Sequence, residues 1–434
     1  NSHYFLFRGK PAVLVTSGEH YGAVLNLDFD YRRYLDEIHA CGLNLTRTFS
    51  GTYRELPDSF KIEQNTLAPA PGRFLCPWAR SSEPGAGDGG NKFDLSKWDP
   101  AYFPRLKEFV AEASKRGIVV ELVLFCTIYD DGLWRVNPMN AANCVTGVEK
   151  ATRLDVFNLK HPALTARQIE FTRKVVTELN GFDNVYYEIC NEPYFGGVTR
   201  QWTQRIADTI VSTEAALPAK HLIAENIANG REKVASPLPH ISIFNFHYAS
   251  PPDTVAMNDP LNRVIADDET GFKGTGDFWY RREGWEFLLV GGAIYSNLDY
   301  SFTCQKPDGT HPVTSSPGGG GPSLRRQLAI LKRFVESFDF VHMEPDAGTV
   351  RVNRGTVRAL TQPGKVYAIY VHGPSPVELT LPLPAGSYRV EWVDTKTGAT
   401  ARSETLQHAS GTAKLASPDF VEDIALRLIQ ATGK

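Results

Sequence analysis

Short apolar runs rich in β-branched and aromatic residues alternate with amphipathic segments through about residue 340. The apolar runs predict strands over residues 12–16, 43–49, 118–125, 185–190, 222–225, 241–247, 263–267 and 293–299. Between them, apolar positions recurring with helical period predict helices over 31–40, 103–115, 165–179, 199–216, 276–289 and 323–338. The fifth and sixth connections are poorly marked as helices. Eight strands with intervening helices fit an α/β fold of the (β/α)8 barrel type, over residues 1–345, better than a doubly wound sheet. From about Gly348 the period falls to two. Residues 366–371, 377–381, 388–394 and 424–429 read as strands, with a hairpin turn from Asp394 to Gly398. This predicts a small all-β sandwich over 346–434, a buttress for the barrel rather than an independent binding module.

Two segments are far richer in Gly, Pro and Ser than their surroundings: 81–91 after the second strand and 315–322 after the eighth. Both are expected to be loops on the face where the strands end. The fourth strand runs Tyr186, Tyr187, Glu188, Ile189, Cys190 and then breaks into Asn191, Glu192 and Pro193. A carboxylate at the tip of a buried strand is costly to desolvate, so its presence there marks candidate chemistry. The seventh strand ends comparably, in Asp267, Asp268, Glu269, Thr270 and Gly271. Arg47, inside the second strand, requires a buried partner.

Asn-Glu-Pro at the end of strand four and Glu-Thr-Gly at the end of strand seven resemble the motifs of retaining β-glycosidases of glycoside hydrolase clan A, family 5 in particular. The resemblance covers about 340 residues. It implies Glu192 as acid/base and Glu269 as nucleophile, with Asp267 and Asp268 as competitors. On this reading Asp268 points away from the pocket and Asp267 is structural. The resemblance also implies that Arg47 and Tyr248 bond the nucleophile and that Asn191 reaches the sugar 2-hydroxyl. His247 lines the cleft or tunes a carboxyl group. Glu269 then stays ionised while Glu192, facing that charge, is held protonated near neutral pH. The pair accounts for double displacement without metal or cofactor.

Sugar platforms are expected among Tyr21, Phe49, Tyr53, Trp134, Tyr194, Tyr248 and Tyr300. Trp134 with Asn137 is the expected subsite wall, and His20 the expected contact to a terminal sugar. Trp279 and Trp285 are expected to pack the seventh helix. The clan often carries a tryptophan at the end of strand eight. This chain has Ser296, Asn297, Leu298, Asp299 and Tyr300 there, so Tyr300 substitutes or the sugar floor lies elsewhere.

Composition is that of a globular protein, 42% hydrophobic and 22% charged. A net charge of −3 gives no reason to expect nucleic acid or an anionic membrane as partner. No apolar stretch approaches the roughly 20 residues of a membrane span. The expected partner is a neutral oligo- or polysaccharide of glucan or mannan type, with oligomeric state open. Asn1, Ser2 and His3 do not read as a signal peptide, although the enzyme class implies a secreted or periplasmic site of action. None of the six cysteines forms a C-x-x-C pair. Cys126 and Cys190 read as core residues, while Cys76 and Cys144 are open to bridging in an exported protein. Two other readings keep the barrel: a non-catalytic carbohydrate-binding protein, and a metal-dependent hydrolase using Glu19, His20, His247 and Asp267.

Overall fold

The computed structural model describes residues 1–314 and 317–431. Eight parallel strands form the barrel: β1 (Leu14–Gly18), β2 (Leu45–Phe49), β3 (Val119–Cys126), β4 (Val185–Asn191), β5 (Ile223–Asn229), β6 (Ile243–His247), β7 (Val264–Thr270) and β8 (Ile294–Leu298). From β2 to β8 each strand pairs with its sequence neighbour, and β8 returns to β1. The seam between β1 and β2 is closed by Asn44. Its carboxamide accepts from Val15 N at 2.9 Å and donates to Val13 O at 2.9 Å, standing in for a ladder.

Helices cover the outside: α1 (Tyr31–Cys41), α2 (Tyr102–Lys115), α3 (Pro162–Leu179), α4 (Arg200–Ala215), α5 (Asp253–Asn258), α6 (Asp277–Leu288) and α7 (Pro322–Glu336). In α1, Tyr31, Tyr34, Leu35 and Ile38 fall on the buried face, as the helical period requires. Asp30 caps its start through the N–H groups of Arg32 and Arg33, and Gly42 ends it in the left-handed conformation at φ 82°. The two weakly patterned connections are indeed poor in helix. Among the described residues β5 is followed by none before β6, and α5 spans six residues.

The first glycine-rich segment is not a plain loop: it turns a β-hairpin between Trp78–Pro84 and Asn91–Trp98. Of the second, Ser315 and Ser316 lie outside the described residues. Its glycines are dictated by close approach. A Cβ on Gly320 would meet Asp299 Oδ1 at 2.1 Å, and Gly321 N–H donates to that carboxylate.

Beyond the barrel a six-stranded antiparallel sheet runs in the order Glu344–Pro345, Thr356–Gln362, Val366–His372, Asp423–Gln430, Gly386–Val393, Thr400–His408. A three-stranded sheet (Arg351–Val352, Glu378–Leu383, Gly411–Ala416) packs on it around Ile369, Leu379, Trp392 and Leu426. The larger sheet leans on α6. Trp285 stacks on Tyr370 at 5.3 Å, and buried Arg281 grips both oxygens of Asp423 at 2.9 and 2.8 Å. Trp285 therefore packs α6 as expected, while Trp279 is half exposed. All six cysteines are free thiols, so Cys76 and Cys144 are not bridged. No helix among the described residues is long and apolar enough to cross a membrane.

Candidate active site

Alternation along the strands sends Arg47, Glu121, Glu188, Asn245 and Asp268 into the barrel, all fully buried. A barrel interior is normally filled by branched aliphatic side chains, so this polar layer needs its own electrostatic account. Arg47 is the hub. It donates to Glu188 Oε2 at 2.6 and 3.0 Å, to Asn191 Oδ1 at 2.7 Å and to Glu269 Oε2 at 3.0 Å. Its Nε also stands 3.4 Å from Asp268 and 3.8 Å from Glu121. Asn245 Nδ2 bonds Glu121 at 2.8 Å and Asp268 at 2.6 Å. Burial raises the pKa of both Glu121 and Asp268; like charges add to this, against the pull of Arg47.

One step toward the strand ends the chain re-aims two carboxylates. Phe246 pairs with Asp267 and His247 with Glu269, leaving Asp268 as the extra residue of a bulge. That bulge lets both Asp268 and Glu269 face inward. Asp268 accordingly lies beneath the pocket, bonded to Asn245 inside the barrel, and does not line it. Glu192 is aimed by a left-handed backbone, φ 47° and ψ 52°, with its N–H held by Asn226 Oδ1 at 3.0 Å. Tyr21, Tyr248 and Phe272, at the ends of other strands, share positive φ. Strain of this kind persists where the surrounding structure over-determines it.

One oxygen of Glu192, one of Glu269 and a nitrogen of His247 lie within 4.8 Å of one another. Glu269 accepts from Arg47 and, at 2.8 Å, from the Tyr248 hydroxyl. Glu192 accepts from Tyr129 through one oxygen and faces His247 Nδ1 at 3.2 Å through the other. His247 Nδ1 is also 3.6 Å from Glu269, and its Nε2 is 3.4 Å from Asp268. Burial alone would lower the His247 pKa, yet the charge of Glu269 and the bond to Glu192 raise it above the ordinary value. For Glu192, burial pushes up but is outweighed by His247 and by the Tyr129 hydroxyl, so its pKa is lowered. Both directions run against the expectation of a protonated Glu192: its carboxyl is drawn down and the His247 imidazole is pushed up.

Arg47, Asn191, Glu192, His247, Tyr248 and Glu269 thus converge as the sequence predicts. His20 lines the same pocket beside Glu55, with Tyr300 packed behind it at 5.5 Å. Leu298 occupies the pocket wall at the end of β8. Trp134 and Asn137 do not line the pocket. Both are buried, and Asn137 is tied to Thr52 O at 3.0 Å and Met139 N at 2.9 Å. Residues not foreseen are Tyr129, Glu55, Glu121, Glu188 and Asn245. Glu121 and Glu188 carried a visible signal, a lone carboxylate inside an apolar strand; Tyr129 carried none.

Among the described residues two groups have ligand spacing suited to a cation, Glu192–His247–Glu269 and Glu121–Glu188–Asp268. The second is filled by the Arg47 guanidinium. The proposed set Glu19, His20, His247 and Asp267 does not converge: Glu19 is turned to the N–H groups of Gly22 and Ala23 and to Thr66.

No protein-family model matches the chain, and no curated protein matches its sequence. Solved structures do. A glycoside hydrolase family 5 structure from Bacteroides vulgatus ATCC 8482 superposes with TM-score 0.65 at 11% identity, covering 99% of this chain and 91% of that one. The endo-1,4-beta-mannanase from Rhizomucor miehei gives TM-score 0.53 at 11% identity, over 78% of this chain and 99% of its own. A glycoside hydrolase, described as putative, from Bacteroides vulgatus ATCC 8482 gives TM-score 0.71 at 15% identity, covering 98% of this chain and 80% of its own. At these identities the likeness is one of fold, a (β/α)8 barrel followed by antiparallel sheets.

Proposed function

We propose that the chain is a retaining β-glycoside hydrolase with Glu269 as nucleophile and Glu192 as acid/base. The observation that carries this reading is the close approach of two strand-end carboxylates, within 4.8 Å, in unlike surroundings. Retaining enzymes hold their carboxyl groups about 5 Å apart, whereas inverting ones leave several ångströms more for a water. Glu269, between Arg47 and the Tyr248 hydroxyl, is presented as a charged acceptor able to attack an anomeric carbon. Glu192 faces His247 Nδ1 at 3.2 Å, which in the imidazolium form carries a proton within reach of the carboxylate. As substrate approaches, that proton passes from Nδ1 to Glu192 and on to the leaving oxygen.

Formation of the glycosyl–Glu269 ester consumes one negative charge beside His247. Glu192 then acts as base toward the incoming water, and the proton it takes restores the starting state. Asn191, held by Arg47 at 2.7 Å, is placed to meet the sugar 2-hydroxyl. The cavity between the two carboxylates is narrow, about 60 Å3, and in this reading it receives one sugar unit at a time. Its charged lining is Glu55, Glu192 and Glu269, a setting that disfavours anionic sugars. The substrate class is therefore a neutral β-glycoside of gluco or manno type. Action on such substrates fits a secreted or periplasmic enzyme.

The test is sugar release from aryl β-glucosides, aryl β-mannosides and the corresponding oligosaccharides, wild type beside Glu192→Gln and Glu269→Gln. Activity in wild type and its loss in both variants supports the reading. Full activity in Glu269→Gln removes the nucleophile assignment.

A further inference from the structure

The two ends of the site differ in chemistry. On one side His20 lines the pocket with both ring nitrogens unbonded although it is only 8% exposed. Its neighbour Glu55 is held in place by Tyr53 at 3.1 Å and by Asn65. A buried imidazole without hydrogen bonds, its Nε2 3.7 Å from a fixed carboxylate, is suited to sugar hydroxyls that bridge the gap.

On the other side, next to Glu192, the wall is aromatic. Phe60 meets Tyr129 edge-on at 5.2 Å, and Phe195 packs on the same ring at 5.8 Å. Across the mouth Phe272 stands 6.3 Å from Tyr248. These are the three strongly exposed phenylalanines among the described residues: Phe60 at 42%, Phe195 at 52% and Phe272 at 47%. A single exposed apolar side chain means little, but three gathered at one mouth form a patch of the kind that binds. The nearby hydroxyls are already committed. Tyr129 donates to Glu192, and Tyr194 donates to Asn229 or Glu192.

We propose that the site holds one glycosyl unit at its His20 end and an apolar aglycone, an alkyl or aryl group, across the phenylalanine rim. The inference rests on the glycosidase reading, in which Glu192 protonates the leaving oxygen, so the rings beside Glu192 face the leaving group. A sugar in that position would find the protons of Tyr129 and Tyr194 already donated to Glu192 and Asn229. An alkyl chain needs none and gains by covering the rings.

The test uses the purified full chain with methyl, butyl and octyl β-D-glucosides and β-D-mannosides, and with cellobiose and mannobiose, all below micelle-forming concentrations. Simple alkanols are leaving groups of similar acidity, so a trend with chain length reads contact with the rim rather than bond-breaking chemistry. The expected result is a kcat/KM at least about tenfold higher for octyl than for methyl, with the disaccharides below octyl. Phe60→Ala and Phe195→Ala are each expected to shrink the octyl-to-methyl ratio by about threefold or more. A flat alkyl series, a ratio unmoved in both variants, or a disaccharide cleaved faster than the octyl glycoside overturns the inference while leaving the glycosidase reading intact. Hydrolysis of no β-glycoside at all overturns both.

Discussion

Replacing His247 by Asn or Gln should move the alkaline limb of the kcat/KM profile to lower pH. In the free site one proton is distributed over Glu192 and His247, and either position leaves the same total charge. Deleting one of two places for a proton lowers the affinity of the pair for it. The ordinary values are 4.5 for the carboxyl and 6.5 for the imidazole, and here the first is lowered and the second raised. Both shifts favour the imidazole over the carboxyl as the place for that proton. Part of the Glu192 depression comes from the charge on His247 itself and vanishes with it. The remaining movement is downward, and kcat/KM above the limb falls with it. The assay is kcat/KM from about pH 4 to pH 9 on an aryl β-glycoside, with circular dichroism to establish that the variants fold. An alkaline limb that stays within about 0.3 units of wild type, or moves upward, refutes the idea that His247 stores the acid proton.

Other residues give sharper readouts of separate links. Arg47→Met strands buried Glu188, Asp268 and Glu121 and should cost about 3–5 kcal/mol in thermal or urea unfolding, with Arg47→Lys recovering only part because a point charge cannot fork between Glu188 and Glu269. Tyr129→Phe removes the hydroxyl bonded to Glu192 and should lower kcat/KM about five- to tenfold, with little change in melting temperature. Glu19 is pushed up to about 7 by burial, against bonds from Thr66 and the N–H groups of Ala23 and Gly22. The folded state therefore holds a proton that the unfolded chain releases, so stability from this group is complete below about pH 4.5 and is lost as pH rises through 7. Glu19→Gln should gain on wild type over that window in thermal melts, by on the order of 3 kcal/mol at its upper end.

The barrel was legible because its signal is local. Each strand is an apolar run, and six connecting helices show their period in the sequence, whereas the connection after Asn229 is irregular and α5 is too short to display one. The hairpin at Trp78–Pro84 was hidden by its glycine-rich turn, since composition marks the turn and not the strands it joins. Within the site, residues at strand ends were legible: Arg47, Asn191, Glu192, His247, Tyr248 and Glu269 meet because parallel strands deliver their ends to one face. Tyr129 was not, as it follows β3 in a connection whose path only packing decides. The protonation order of Glu192 and His247 was out of reach for the same reason. It depends on ångström-scale distances among His247, Glu192 and Glu269, which a bulge at Asp268 and a left-handed backbone at Glu192 set. Trp134 looked like a sugar platform by type and place, but the short helix Asp131–Val136 turns it inward.

The most direct test of the central claim is to trap the covalent intermediate. The chain is incubated with the 2-deoxy-2-fluoro derivative, bearing a good leaving group, of whichever aryl β-glycoside it hydrolyses. It is then digested and mapped by mass spectrometry. The account predicts one glycosyl adduct, on Glu269, and none in Glu269→Gln. An adduct on Asp267, Asp268 or Glu192, or steady turnover of the parent glycoside by Glu269→Gln, would contradict it.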